Sequence, residues 1–229
     1  TGEIFPIILP SYVNIQGEDE ELTILDGEQI YSVVKILSDD NSLSNLSIIR
    51  SAPQLDDYQD LINGSGVSIY GNGIIFNQVT FRDSMDSPFL ITGNNIIFQD
   101  VTIQNNNASS CAGGIIYGSA SFYNVTIQNN NAEGDEGAGL CIDDNGNLNM
   151  YDSIIDGNSN PSSSGGGLYL ANNSSAFVSG SVIQNNFAEI VVAAVDEENG
   201  KVAAILDGRF STKIDKRKTF KTGSGGERE

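Results

Sequence analysis

The chain has 229 residues, of which 18% are charged, and its formal net charge is −19. It contains no histidine, which excludes Ser-His-Asp and Cys-His catalysis and histidine-ligated zinc. The acidic balance makes nucleic acids and anionic membranes poor partners, whereas a neutral glycan or a cationic surface would be compatible.

Residues 1–66 are interpreted as an N-terminal cap followed by irregular first coils. Pro6 and Pro10 suit a cap, which a stack of strands needs because its first strand is an exposed edge. Short apolar segments then alternate with acidic or polar turns at 17–21, 38–41 and 54–60. The candidate strands are residues 12–15, 22–25, 30–37 and 46–50.

Residues 67–189 contain a repeat with the period of stacked-repeat proteins. A strand recurs whose copies start at Val79, Val101, Val125, Ser153 and Ser181, so the starts lie 22, 24, 28 and 28 residues apart. The segments alternate with period 2 and are interrupted by glycine, and a 3.6-residue apolar period is lacking. The chain is therefore predicted to be all-β: a right-handed single-stranded parallel β-helix (a solenoid) with capping elements at both ends and coils about 4.8 Å apart.

A column of asparagines is predicted along the turns of this solenoid. Three residues after the apolar anchor of each strand stand Ser84, Asn106, Asn130, Asn158 and Asn186. An amide has two donors and an acceptor, so each Asn can bond the same side chain in the coils above and below. An inward amide without partners would cost about 1–3 kcal/mol, which favours such a ladder. The alternative is that turns merely tolerate asparagine.

Two motifs of the repeat resemble those of polymorphic outer membrane proteins, the passenger domains of chlamydial autotransporters. The GGA[I/L/V]-like junctions are residues 113–116, 137–140 and 165–168, and the F-x-x-N-like strand ends contain Ile103, Ile127, Ile155 and Ile183. These strand ends have Ile where the pattern has Phe, and Phe81 is followed by Ser84 instead of Asn. The resemblance covers residues 67–189 and implies a β-helix used in adhesion or surface display, without catalytic residues.

Loops of changing size lie between each strand end and the next glycine junction, at residues 82–88, 107–112, 132–137 and 159–165. Inserts at one turn lie on one side of a solenoid, which is often its binding side. These loops are small and polar, so they do not specify a ligand.

Two cysteines, Cys111 and Cys141, lie in successive coils at different offsets from the glycine junctions. They would form a disulfide in a secreted protein, or remain separate buried thiols. Two cysteines alone cannot make a zinc site, and calcium-loop spacing is missing around the acidic residues at 135–136, 143–144 and 196–198. We therefore predict no dedicated metal site and no cofactor.

Four carboxylates are the candidates for catalysis if the chain is an enzyme: Asp143, Asp144, Asp152 and Asp156. A glycosidase needs two carboxyl groups about 5–9.5 Å apart, and many parallel β-helices resemble pectate lyases and polygalacturonases. The histidine and basic motifs of polygalacturonases are missing, and Arg82 is the one candidate lyase base of the central coils. Residues 143–146 are better interpreted as a turn between strands.

Six Asn-x-Ser/Thr sequons are candidate sites of N-glycosylation: Asn45, Asn63, Asn107, Asn124, Asn172 and Asn173. In a chain so rich in Asn, Ser and Thr, several sequons are expected by chance. Asn124 precedes a core strand, so a glycan could be attached there only if this side chain points outward.

Residues 190–229 are predicted to form a C-terminal hairpin cap and a basic, partly flexible tail. Residues 190–195 and 201–206 flank Asn199-Gly200, a pair typical of hairpin turns. Residues 1–200 carry 3 basic and 26 acidic side chains, whereas residues 201–229 carry 8 and 4, a net of +4. Such a tail could fold back as a cap or dock a neighbouring subunit; the alternative is a solvated tail that ends in a disordered linker at 223–229.

The sequence leaves three hypotheses for function. The favoured one is an extracellular or cell-surface β-helix that acts in adhesion, display or as a stalk, with a cell-surface glycan or protein as its ligand. The second is a polysaccharide-active enzyme that uses loop carboxylates. The third is ice or mineral binding by the column of Thr80, Thr102 and Thr126, which is weakened because Ile154 and Val182 continue that column.

Location is predicted from what the chain lacks. No apolar run approaches the length of a membrane span, so we expect no membrane insertion. There is neither an initiating methionine nor a signal peptide, so Thr1 is expected to begin a mature or excised fragment.

Overall fold

The computed structural model describes residues 4–52, 65–134, 136–171 and 173–190, together with the backbone of residues 203–212. These residues form parallel strands stacked into a right-handed β-helix, which confirms the predicted fold class. The described residues include no helix that is long and apolar enough to cross a membrane.

The strands are short because the chain turns a corner after a few residues. In chain order they are β1 (Ile7–Leu9), β2 (Asn14–Gln16), β3 (Ile24–Asp26), β4 (Val34–Ile36), β5 (Ser42–Ile49), β6 (Val67–Ile69), β7 (Ile75–Arg82), β8 (Phe89–Ile91), β9 (Ile96–Gln99), β10 (Thr102–Gln104), β11 (Asn107–Ala108), β12 (Ile115–Ile116), β13 (Ser119–Tyr123), β14 (Thr126–Gln128), β15 (Asn131–Ala132), β16 (Leu140–Ile142), β17 (Asn147–Tyr151), β18 (Ile154–Asp156), β19 (Ser159–Ser164), β20 (Leu168–Leu170), β21 (Ser175–Ile190) and β22 (Ala203–Thr212).

Strands of successive coils stack in rows along the solenoid. One row is a seven-stranded parallel sheet in the order β1-β4-β6-β8-β12-β16-β20. The other strands belong to a 15-stranded sheet, in which β9, β13 and β17 stack in one row and β10, β14 and β18 in the next. The register keeps equivalent residues opposite one another, so Ile103, Ile127 and Ile155 form one column.

The corner between these two rows is made by residues with left-handed backbone. Asn124 has a φ of 52°, Asp152 of 49° and Gly180 of 62°. Asn, Asp and Gly adopt this conformation at the least steric cost. The chain therefore bends at the same place in successive coils, which keeps the strands on either side in register.

The interior is a continuous apolar column with an aromatic centre. Five phenylalanines are fully buried: Phe76, Phe81, Phe89, Phe98 and Phe122. The ring centroids of Phe98 lie 4.8 Å from Phe76 and 4.7 Å from Phe122, so one ring packs on the next from coil to coil. Each buried ring contributes about 1.5–3 kcal/mol by leaving water.

The asparagine ladder is present, and all four amides are buried. The Nδ2 atom of Asn106 donates to Oδ1 of Asn130, that of Asn130 to Asn158, and that of Asn158 to Asn186, each over 2.9 Å. Each Oδ1 also accepts the backbone N–H of the preceding ladder residue, over 3.0–3.1 Å. Two serines extend the column, since Ser84 N–H donates to Oδ1 of Asn106 and Ser51 Oγ donates to Ser84 Oγ.

The N-terminal coils differ from their prediction in detail. The segment between Pro6 and Pro10 is itself a coil strand, because β1 pairs in parallel with β4. The strands predicted at 12–15, 22–25, 30–37 and 46–50 correspond to β2, β3, β4 and β5, with shifted ends. The turn predicted at 54–60 lies outside the described residues, and the division of the chain at residue 66 stays a prediction.

The strand near the C-terminus does not pair as a hairpin arm would. Strand β22 runs parallel to β21, with Ala203 opposite Ser175 and Leu206 opposite Val178. The predicted second arm at 201–206, so far as the structure describes it, therefore continues the coil stacking instead of returning antiparallel. The first arm beyond Ile190 and the Asn199-Gly200 turn lie outside the described residues.

Candidate functional site

The outward faces of the 15-stranded sheet present side chains in columns. Inward positions fill the core, so every second side chain of a strand points to solvent. Because neighbouring coils lie about 4.8 Å apart, equivalent outward groups touch from coil to coil. Two such columns, on either side of the corner at Asn124, form what we term the outward face.

The first column contains a pair of stacked tyrosines. The register aligns Asn77, Gln99, Tyr123, Tyr151 and Ser179. The rings of Tyr123 and Tyr151 lie parallel, with centroids 5.2 Å apart and planes inclined by 7°. Phe177 adds a third ring, 5.7 Å from Tyr151. Tyr123 is 43% exposed, so the pair presents ring edges and phenolic groups to solvent.

The second column, across the corner, is rich in amides. Gln128 Nε2 donates to Oε1 of Gln104 over 2.8 Å. At the next corner, Asn131 Nδ2 donates to Oδ1 of Asn107 over 3.3 Å. Each amide pair retains further donor and acceptor positions beyond the bond between its partners. The outward face therefore combines aromatic rings with a fixed array of hydrogen-bonding groups.

The threonine column of the same face is present but not uniform. Thr80, Thr102 and Thr126 stand in register, and Ile154 and Val182 continue the column, as predicted. The Thr80 hydroxyl donates to Oε1 of Glu20 over 2.8 Å. The Thr80 hydroxyl is therefore engaged by the first coil, and Thr102 and Thr126 are the two threonines that remain for an ice or mineral lattice. Two threonines make a short array for such a lattice.

The four candidate catalytic carboxylates lie in three places. Asp143 and Asp144 belong to the turn before β17, where the Asp144 N–H donates to Oδ1 of Asp143 and the Gly146 N–H to the Asp143 carbonyl. Asp152 forms the corner after β17, and Asp156 ends β18. Strand β17 spans about 13 Å at 3.3 Å per residue, so it separates the turn from Asp152. Asp152 and Asp156 stand at opposite ends of the segment that contains β18.

The carboxylates near β18 contact the next coil. Both oxygens of Asp156 accept amide hydrogen bonds, from Gln184 over 3.0 Å and from Asn185 over 2.9 Å. The Asp152 carboxylate lies close to Gly180, since a Cβ atom there would stand 2.3 Å from Oδ1. Arg82, the candidate lyase base, donates to Oδ2 of Asp83 over 2.6 Å. Asp156 thus binds side chains of the next coil, and Arg82 binds its neighbour in the sequence.

Burial raises the pKa of two groups that lie outside the outward face. Burial raises the pKa of Asp86, although its carboxylate accepts the N–H of Ser87 over 2.8 Å. Burial, and then the negative charges of Asp143, Glu136 and Asp144, raise the pKa of the Tyr117 phenol. Both groups lie near the turns that join the two sheets, not among the outward columns.

A disulfide joins Cys111 to Cys141, the first of the two alternatives left by the sequence. It ties the loop after β11 to β16 of the next coil. The carboxylate of Glu136 lies near both sulfurs, and among the residues that the structure describes this is the one group of three with metal-ligating atoms close together. A cysteine binds a metal ion as a thiolate, and in this structure both sulfurs are in the disulfide, so neither is a thiolate.

The sequons differ in their surroundings. Asn124 is exposed at its corner, so it points outward, and its Nδ2 donates to Oδ1 of Asp100 over 2.6 Å. Asn107 and Asn173 are also exposed and Asn45 is half-buried. Asn63 and Asn172 lie outside the described residues. Glycosylation stays a prediction at all six positions.

Sequence analysis missed the tyrosine pair, although a signal for it exists. Tyr123 and Tyr151 each stand two residues before a repeat start, at Val125 and Ser153. The predicted binding side was the row of insert loops, whose residues are small and polar. Part of that row is itself regular, because β11, β15 and β19 stack at the start of the loops.

Comparison with known proteins gives one family. The model of the right-handed beta helix region matches residues 32–211, most of the chain. No curated protein matches the chain significantly.

Proposed function

Because the chain belongs to the right-handed beta helix family, we propose that it is a non-catalytic adhesion or display module, secreted or held at a cell surface, that binds a neutral glycan along its outward face. The observation that carries this proposal is the stacked pair of Tyr123 and Tyr151 beside the Gln104–Gln128 amide pair.

The chemistry of this face suits a neutral sugar polymer. The exposed ring edges give apolar contact area for a sugar, and each phenolic hydroxyl can donate or accept a hydrogen bond at that edge. Amides both donate and accept, which matches hydroxyl groups that do the same. The columns run along the solenoid axis, so an extended chain could meet equivalent groups in successive coils. The net charge of −19 disfavours acidic polysaccharides.

Two further considerations support adhesion over catalysis. The repeat resembles that of polymorphic outer membrane proteins, which are displayed at a surface. In addition, both oxygens of Asp156 already accept hydrogen bonds from the next coil, which suits a structural carboxylate better than a general acid or nucleophile. A protein ligand for the same face is an outcome that the test below separates.

The test is a glycan array probed with the wild-type chain and with Tyr123→Ala and Tyr151→Ala. We expect wild-type binding to neutral glycans and about tenfold weaker binding by either variant, equivalent to about 1.4 kcal/mol. Tyr70→Ala is the matched control, because Tyr70 is 39% exposed but pairs with Lys35 on another side of the solenoid.

Three results would contradict the proposal. Tyr70→Ala could weaken binding as much as Tyr123→Ala, or the array could show no neutral glycan bound. The third is release of reducing ends from a polysaccharide that Asp152→Asn or Asp156→Asn abolishes, which would establish the enzyme hypothesis instead. Thermal unfolding of each variant shows whether the fold is retained.

A further inference from the structure

The first coil of the solenoid leaves the end of the core open. Ile7, Ile15 and Leu25 stand in core columns opposite Val34, Leu43 and Ile48. The latter three are almost completely buried, whereas the former are only partly buried although they pack against the core. Four of the five partly buried apolar residues that pack against the described core, Phe5, Ile7, Ile15 and Leu25, therefore lie in the first coil.

The first coil also carries many exposed apolar side chains. Among the described residues, thirteen large apolar side chains are exposed, and seven of them lie between residues 4 and 31: Ile4, Ile8, Tyr12, Val13, Leu22, Ile24 and Ile30. Such a concentration of exposed apolar side chains in one coil is typical of an interaction site.

The strands of this end have unused pairing capacity. Within the described part of the chain, β1 pairs only with β4, and β2 and β3 pair only with β5. On the side away from β4 and β5, these strands therefore have no strand partner among the described residues, and an edge of this kind readily takes another strand. Every strand pair of this solenoid is parallel, so an added strand that runs the same way would extend the coil geometry.

Charge distinguishes between the ways in which a second copy could meet this end. Residues 4–31 contain six acidic side chains (Glu18, Asp19, Glu20, Glu21, Asp26 and Glu28) and no basic one. Two such ends brought together would repel each other. Residues 201–229 hold 8 of the 11 basic residues and have a net charge of +4, so the opposite end of the chain is complementary.

From the open core, the free edges and this complementarity, we infer that copies of the chain associate head to tail, the acidic first coil of one copy binding the basic C-terminal segment of the next. The contact is heterologous, so each copy that binds leaves its other end for a further copy, and the oligomers grow with concentration. This inference is independent of the glycan proposal, since it uses neither Tyr123 nor the outward face.

A charge-swap experiment tests the inference. Sedimentation velocity of the full chain at low ionic strength should show mass increasing with concentration, and added salt should reverse the increase. The variant Glu18→Lys with Glu21→Lys, and the variant Lys216→Glu with Arg217→Glu and Lys218→Glu, should each associate about tenfold more weakly. An equimolar mixture of the two should recover association, because the altered end of one complements the altered end of the other.

Glu133→Lys is the matched control, because Glu133 is an exposed acid of a middle coil. It should associate as the wild type does. The inference is overturned if the wild type stays monomeric throughout the concentration series, if the mixture does not recover association, or if Glu133→Lys weakens association as much as the change at the first coil.

Discussion

Asn130 shows how one buried amide holds three coils together. Its Nδ2 donates to Asn158 Oδ1 over 2.9 Å and to the Ile103 carbonyl over 3.2 Å. Its Oδ1 accepts from both the backbone and the side chain of Asn106. The side chain is therefore satisfied in a place where water has no access.

We predict that Asn130→Ala destabilises the protein by about 2–4 kcal/mol, because it leaves several buried groups of neighbouring coils without a partner. Urea unfolding followed by circular dichroism measures the loss. Asn131→Ala is the control, because Asn131 is part-exposed and its side chain makes a 3.3 Å hydrogen bond to that of Asn107. We expect this variant to lose less than about 1 kcal/mol of unfolding free energy. If the two variants lost equal amounts of unfolding free energy, the buried ladder would contribute no more to stability than an exposed pair of asparagines.

Asp86 offers a test by pH. Burial raises its pKa from the ordinary value of 3.8, so the folded state favours the protonated carboxyl. The folded state then binds more protons than the unfolded chain between the two pKa values, and stability falls as pH rises through that window. Asp86→Asn should therefore be more stable than the wild type at neutral pH.

The same variant should lose its advantage below pH 3.8, where Asp86 is protonated in both states. The bond from the Ser87 N–H survives the substitution, because an asparagine Oδ1 can accept it. Thermal unfolding of both proteins over a pH series measures the difference. An advantage that does not depend on pH would show that burial of charge is not its cause.

At the scale of the element, the glycine junctions are required by close approach of backbones. A Cβ atom on Gly139 would lie 1.9 Å from the Gly167 carbonyl oxygen, and one on Gly113 would lie 1.5 Å from that of Gly139. Backbone atoms cannot move aside as a flexible side chain can. The GGA-like junction thus marks the place where successive coils pack backbone on backbone.

We predict that Gly139→Ala destabilises the protein by about 3 kcal/mol or more, since neighbouring coils must separate locally. Gly157→Asn is the contrasting variant. Gly157 has a φ of 67° and its Cβ would approach only the Asn129 side chain. Asn105, Asn129 and Asn185 already adopt positive φ at other coils, so this change should be nearly neutral in urea unfolding. The reverse order of the two effects would refute this account of the junctions.

Local signals predicted some elements and failed at others, for physical reasons. The repeat starts and the Asn column were predictable, because stacking imposes the same residue type at the same offset in each coil. The Asn199-Gly200 pair favours a hairpin locally, but the strand after it finds a longer partner in β21 of the preceding coil. A local turn motif gives no information about the free energy that a strand gains by stacking on the preceding coil.

The candidate site was less predictable than the fold. The disulfide joins residues at different repeat offsets, which no periodicity indicates. The Tyr123–Tyr151 stack was overlooked because it lies on a strand instead of an insert loop, and the contact of Thr80 with Glu20 links residues sixty positions apart. Such contacts depend on where each loop packs against the outward side chains of other coils, and the period of the repeat does not determine where a loop packs.

For the whole molecule, the side chains that stabilise the fold point inward, whereas those that we propose for ligand binding point outward. Inward columns of Phe, Ile and Asn hold the coils in register, and outward columns of Tyr and Gln are thereby set in a fixed, extended array. A ligand that binds this array meets pre-ordered side chains, so little conformational entropy is lost on binding. An extended glycan laid along the axis is the ligand that we propose for this array.

An NMR titration with the neutral glycan selected on the array tests this claim most directly. We predict that the largest shifts occur at the rings of Tyr123 and Tyr151 and at the side-chain amides of Gln104 and Gln128, with Tyr70 unchanged. Shifts confined to the insert loops or to the turn at residues 143–146 would contradict the proposed binding face.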